Sequence, residues 1–255
     1  MYSHDVDYKI IGDDIQLVEV ELDPNESVIA EAGTMMYMEQ EIDFQTKMGD
    51  GSNPNEGLFD KLFKGAGRLI SGESLFLTHF TNRGFNKSHV AFAAPYPGTI
   101  VPIDLSQFNG QITVQRDAFL CAAMGTKVSI VFNRKLGAGF FSGEGFILQR
   151  IEGDGRAFIH AGGTVVEKVL NGETLRVDTG CVVGFTNGID FDIQQAGGLK
   201  SMVFGGEGMF LATLRGHGKV WLQSMPISKL VRELSPMGGN QRKETGGFLN
   251  QFLQD

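Results

Sequence analysis

Short apolar runs and glycine-bearing polar turns alternate along almost the whole chain, a rhythm that predicts strands. In Leu17-Val18-Glu19-Val20-Glu21-Leu22 and in Phe191-Asp192-Ile193-Gln194 every second side chain is apolar, which gives a strand one dry and one wet face. Three segments repeat one another: Ser71-Gly72-Glu73-Ser74-Leu75-Phe76-Leu77, Ser142-Gly143-Glu144-Gly145-Phe146-Ile147-Leu148 and Gly205-Gly206-Glu207-Gly208-Met209-Phe210-Leu211. Each places Gly-Glu and a small residue ahead of an apolar run. The glutamates are 71 and then 63 residues apart, beyond the roughly 20–50-residue periods of solenoids and propellers. The pattern predicts internal triplication of a compact β unit.

The surroundings of each Gly-Glu extend the match. Met209 to Arg215, a Gly216-His217-Gly218 turn and Lys219 to Gln223 read as a hairpin. Phe146 to Glu152, Gly153-Asp154-Gly155 and Arg156 to His160 repeat that plan, and the first copy lengthens the turn to Asn82 through Lys87. Upstream, Glu26 to Met36 resembles Glu173 to Val183, with Asp117 to Thr126 as a looser version. An Ile-Asp-Phe follows both clearer copies, at Ile42-Asp43-Phe44 and Ile189-Asp190-Phe191. These matches predict one repeated β domain over residues 1–235, with units of about 17–95, 110–165 and 166–225.

Two segments break the β rhythm. Asn53-Pro54 precedes apolar residues at 58, 59, 62, 63, 66, 69 and 70, with Asn at a plausible N-cap and Pro at the first helical position. The spacing predicts an amphipathic helical insertion over about 54–70. Its apolar face, with Leu58, Phe59, Leu62 and Phe63, suits a membrane surface, a subunit contact or the protein's own core. At the other end, Ser228 to Leu234 reads as a short helix, and 236–255 as a linker and short amphipathic tail.

Composition narrows the function classes. The 20 phenylalanines against 4 tyrosines and 1 tryptophan favour a dry core, because most aromatic surface lacks a polar tip. A net charge of -8 argues against a nucleic-acid partner, whose binding relies on Lys and Arg displacing counterions. Cys121 and Cys181 form neither a metal spacing nor a disulfide framework. No basic start with an apolar stretch predicts a signal peptide, and no window reaches the roughly 18 apolar residues of a membrane span. The expected location is cytoplasmic.

Candidate chemistry is sparse. Glu73, Glu144 and Glu207 would converge if the units surround a pseudo-threefold axis, gathering three carboxylates able to hold a cation or ligand. Alternatively, each accepts backbone N–H bonds at the turn where its strand begins. Five histidines, among them His79 and His89 on the first expected hairpin, show no short metal-ligand spacing. No Gly-x-Ser-x-Gly elbow occurs, Cys121 sits in an apolar run, and the glycine-rich stretches open no helix. No catalytic residue, metal or cofactor is therefore expected.

With these residues assembled, the chain resembles the altered-inheritance-of-mitochondria family, whose bacterial members have a fold likened to the tryptophan RNA-binding attenuation protein. The likeness runs from about Leu17 to Ser224 and rests on Ala30-Glu31-Ala32-Gly33-Thr34-Met35, on Ala94-Pro95-Tyr96-Pro97-Gly98 and on the Gly-Glu segments. It implies an all-β protein of β-sandwich or double-stranded β-helix type, duplicated within the chain, that forms homotrimers. The expectation is a non-enzymatic oligomeric scaffold or binding protein, with a membrane surface as one candidate location. The alternative is a small-ligand or metal-binding protein, extending to an enzyme, that uses the acids near the axis.

Overall fold

In a computed structural model of the chain, residues 3–48, 76–134, 146–195 and 210–234 are described. They are nearly all strand, as the alternating pattern predicts, joined by short 3-10 turns and followed by one helix, α1 (Ile227–Leu234). A short β1 (Asp7–Ile11) leads into β2 (Leu17–Leu22), β3 (Ser27–Glu31), β4 (Met35–Met38), β5 (Ile42–Met48), β6 (Phe76–Asn82) and β7 (Ser88–Ala93). Next come β8 (Gly98–Asp104), β9 (Gln111–Gln115), β10 (Phe119–Ala123), β11 (Lys127–Arg134), β12 (Phe146–Glu152) and β13 (Arg156–Gly162). The last set is β14 (Val165–Asp178), β15 (Val182–Thr186), β16 (Ile189–Gln195) and β17 (Phe210–Gln223).

The antiparallel pairings follow one scheme three times. The first strand of each set pairs with the last: β2 with β7, β8 with β13, and the front of β14 with the back of β17. The second pairs with the fifth: β3 with β6, β9 with β12, and Thr174–Asp178 of β14 with the front of β17. The third pairs with the last (β4 with β7, β10 with β13, β15 with β17), and the fourth with the fifth (β5 with β6, β11 with β12, β16 with β17). A register shift recurs at one place in the third-to-last pairing, between Met35 and Tyr37, Phe119 and Cys121, and Val182 and Gly184. In each set the shift ends six residues after the last paired residue of the second strand: Tyr37 after Glu31, Cys121 after Gln115 and Gly184 after Asp178. Glu31, Gln115 and Asp178 stand opposite Leu77, Leu148 and Leu211, each leucine four residues after a Gly-Glu glutamate.

Two further pairings join one set to the next. β3 meets β10, with Ala30 opposite Cys121, and β9 meets β15, with Val114 opposite Gly184. The resulting sheets run β1-β2-β7-β4, β5-β6-β3-β10-β13-β8 and β11-β12-β9-β15-β17-β14, with β16 on β17. Apolar cores fill the gaps. Phe92 and Phe158 lie in the core shared by the first and second sheets, and Ile29, Ile112, Ile151 and Trp221 in that of the second and third. Stacked and edge-on phenylalanines 132, 146, 185 and 191, with centroids 5.5–6.4 Å apart, fill the third.

The expected hairpins do not form. β6 and β7 lie in different sheets, as do β12 and β13, while β17 runs unbroken through the Gly216-His217-Gly218 segment. Between β12 and β13 glycine turns a corner between sheets, whereas Gly216 lies within the continuous β17. Gly153 and Gly216 adopt φ of +152° and +135°, and a Cβ on Gly216 would stand 2.1 Å from the Gly188 carbonyl oxygen.

The corner after β6 is tied by a buried amide. Asn82 Nδ2 donates to the carbonyls of Leu22 (2.8 Å) and Asn86 (2.7 Å), and its Oδ1 accepts from Gly84 N–H (2.8 Å). Asn82→Ala strands these backbone groups, and a loss of about 2 kcal/mol is expected in urea unfolding. A change under 0.5 kcal/mol would show that water replaces the amide.

Candidate functional site

The residues singled out by sequence fall mostly elsewhere. Glu73, Glu144 and Glu207 lie outside the described residues, as do Leu58, Phe59, Leu62 and Phe63. What is described is the strand entered after each Gly-Glu, beginning at Phe76, Phe146 and Phe210. His79 and His89 do not meet across a hairpin, since β6 and β7 belong to separate sheets. Among the described residues no three His, Cys, Asp or Glu side chains cluster to hold a metal. No described helix is long and apolar enough to cross a membrane. Cys121 is buried, and the cost of desolvating a thiolate pushes its thiol well up.

A different polar group stands out in the gap between the second and third sheets. On β3, Glu31 is paired with Leu77, and on β12, Gln149 is paired with Val114. Directly opposed residues of an antiparallel pair share a face, and both Leu77 and Val114 belong to the core between these sheets. Glu31 and Gln149 therefore project into one gap from opposite walls. Gln149 is 0% exposed, yet neither end of its amide has a hydrogen-bond partner. Oε2 of Glu31 is likewise buried and unbonded.

The arch from β9 to β10 lies close enough to Glu31 for its charges to act on that carboxyl. It carries Arg116 and Asp117, joined by a 3.6 Å ion pair. Burial raises the Glu31 carboxyl to about 7, against the pull of the Arg116 guanidinium and with a small push from Asp117. With a value near 7 both protonation states are within reach around neutrality, so the carboxyl is able to donate or to accept.

Other buried amides show how unusual Gln149 is. Asn82 is bonded at both ends, and Gln223 accepts from Gly162 N–H at 2.7 Å while donating to the Gly180 carbonyl at 2.7 Å. An unbonded buried amide costs about 1–3 kcal/mol, which this chain avoids at those two positions. The sequence hid the site. Phe146-Ile147-Leu148-Gln149-Arg150-Ile151 reads as a strand whose polar residues face water, and Glu31 reads as the end of an apolar run.

Two other histidines have defined surroundings. His160 on β13 is buried, packs edge-on against Tyr96 at 4.7 Å and has an unbonded Nδ1; desolvation lowers its pKa to about 4. His89 lies between two carboxylates on the first sheet, its Nε2 3.3 Å from Glu21 and its Nδ1 3.3 Å from Glu39. Lys87 also pairs with Glu21. These exposed pairs are screened by solvent and contribute little to stability.

Comparison with known proteins places the chain. Over 221 residues it is 31% identical to an uncharacterized protein of Streptococcus pyogenes serotype M6, covering 86% of this chain and 85% of that protein. A crystal structure of a Streptococcus pyogenes protein from a structural-genomics programme superposes with a TM-score of 0.70 at 26% identity, covering 90% of this chain and 98% of that one. The family model described as mitochondrial biogenesis AIM24 matches residues 8–225, the span that holds every described strand except the start of β1, so the chain belongs to the AIM24 family.

Proposed function

We propose that this protein is a non-enzymatic binding protein, working as a homotrimer of chains that each carry three like β units. The Glu31–Gln149 gap is its binding site. The unbonded, fully buried amide of Gln149 carries this reading. A side chain that pays a desolvation cost without a partner is matched to something that supplies one. Gln149 offers an N–H donor and a carbonyl acceptor on one plane, and Glu31 adds a carboxyl able to donate or to accept. The complementary ligand is small and presents a donor beside an acceptor, as a primary amide or a protonated carboxylic acid does.

Thermal unfolding of the full chain with butyramide, and separately with butyrate, tests the site. Saturable stabilisation is expected from butyramide at pH 6 and 8, following RT ln(1 + [L]/Kd). With butyrate it is expected at pH 6 only, because ionised Glu31 repels the anion at pH 8. Gln149→Leu should abolish both effects and, without ligand, gain about 1 kcal/mol by removing unbonded polar atoms. No shift with either probe, or an equal shift in the variant, sinks the ligand and leaves an internal water as the occupant. Sedimentation equilibrium tests the assembly separately: a mass of three 27.8 kDa chains is expected, and a monomer overturns it.

A further inference from the structure

The strand scheme leaves one pairing unmade. The second strand of the first set (β3) joins the third strand of the second set (β10), and β9 of the second set joins β15 of the third. The second-strand segment of the third set, Thr174–Asp178 of β14, pairs only with β17 among the described residues. The third strand of the first set, β4, pairs only with β7 among the described residues. These are the two halves of a third join, left open at opposite ends of the strand scheme.

Burial marks both halves as incomplete. β10 and β15 are buried at every residue, whereas at the same positions of β4 Met35, Met36 and Tyr37 are 39%, 59% and 39% exposed. β3 is buried at four of its five residues, whereas Thr174 and Arg176 are exposed. An edge of this kind presents unpaired N–H and C=O groups to any strand that fits. Met36 and Tyr37 add apolar surface that lone edge strands usually replace with charge.

We infer that a second copy of this chain completes the join: β4 of one protomer pairs antiparallel with Thr174–Asp178 of β14 in the next. The register follows from the two internal joins. Cys121 opposite Ala30 and Ala122 opposite Ile29 correspond to Gly184 opposite Val114 and Phe185 opposite Thr113. Aligned through the shared register shift, these place Tyr37 opposite Val177, Met38 opposite Arg176 and Glu39 opposite Leu175. The contact is head to tail, since the two edges differ, and such a contact builds a closed ring when its rotation closes. This inference rests on the self-association proposed above and names the surface that produces it. The ring continues between chains the join that each chain makes twice within itself.

Disulfide trapping in the full-length protein tests the register. Met38→Cys chains are mixed with Arg176→Cys chains and oxidised, and Tyr37→Cys with Val177→Cys serves as a second in-register pair. Directly opposed Cα atoms sit about 4.5–5.5 Å apart in antiparallel strands, within the span a disulfide bridges. At least tenfold more linked dimer is expected from either mixture than from each variant alone. The same excess is expected over the out-of-register pair Met36→Cys with Arg176→Cys. A single chain carrying Met38→Cys and Arg176→Cys should give a ladder of linked species in denaturing gels. A disulfide within one monomer overturns the inference in favour of closure inside the chain. No trapping while sedimentation still shows an oligomer overturns this join and leaves the self-association standing. No trapping together with a monomer removes both.

Discussion

Trp221→Ala is expected to cost about 3–5 kcal/mol, the range for truncating a large buried aromatic. The indole is 1% exposed and packs among residues of the second and third sheets. It meets Phe108 edge-on at 5.5 Å and donates from Nε1 to Glu167 at 2.8 Å. Lys219 lies over both rings, 5.8 Å from the indole and 5.7 Å from Phe108, and pairs with Glu167 at 3.0 Å. Alanine would open a cavity between the sheets and leave the Glu167 carboxylate without its indole donor. Urea unfolding followed by far-UV circular dichroism is the measurement, since this is the sole tryptophan. Trp221→Phe keeps most of the packing and should lose only about 1–2 kcal/mol. Equal losses in the two variants would mean that the hydrogen bond, and not the packing, dominates.

The pH profile of stability carries the second large effect. Folding raises the Glu31 carboxyl from its ordinary 4.5 to about 7, so the folded state binds the proton more tightly than the unfolded chain. Stability from this group is full below pH 4.5 and is lost as pH rises through 7. The loss amounts to roughly 3 kcal/mol from the two values, or about 2 kcal/mol once water at the rim screens the charge. His160 acts in the opposite direction. Its folded value falls from 6.5 to about 4, so its contribution is full above pH 6.5 and is lost as pH drops toward 4. Wild-type stability is therefore expected to peak near pH 5–6. Glu31→Gln should match wild type at pH 4, exceed it by about 2 kcal/mol at pH 8 and show no alkaline decline. An unchanged decline in the variant would show that Glu31 is ionised in the folded state at neutrality.

The strands were legible because burial on one face writes a period of two into the sequence. The apolar runs that follow the Gly-Glu segments are described as strands, with Leu77, Leu148 and Leu211 opposite Glu31, Gln115 and Asp178. What sequence could not show is which strands pair. A Gly-rich turn serves a hairpin and a corner between sheets equally well, so Phe146 to His160 read as one hairpin and proved to be strands of two sheets. The candidate site stayed hidden for the same reason. Gln149 is buried because another sheet covers it, and Glu31 is desolvated by a neighbouring strand set, both consequences of contacts distant in sequence. Cys121, by contrast, was readable from its own apolar run, since all of β10 is buried.

The pairing of Ala30 with Cys121 also has a bearing on synthesis. The ribosome must add about 90 residues after β3 before β10 exists to cover its edge. At about 5–20 residues per second, that edge waits roughly 5–18 s, and β9 waits again for β15. A nascent chain therefore carries an uncovered strand edge through much of its translation, the kind of edge that templates intermolecular pairing. Truncated products ending before residue 119 would keep that edge permanently and should be the aggregating species in the cell.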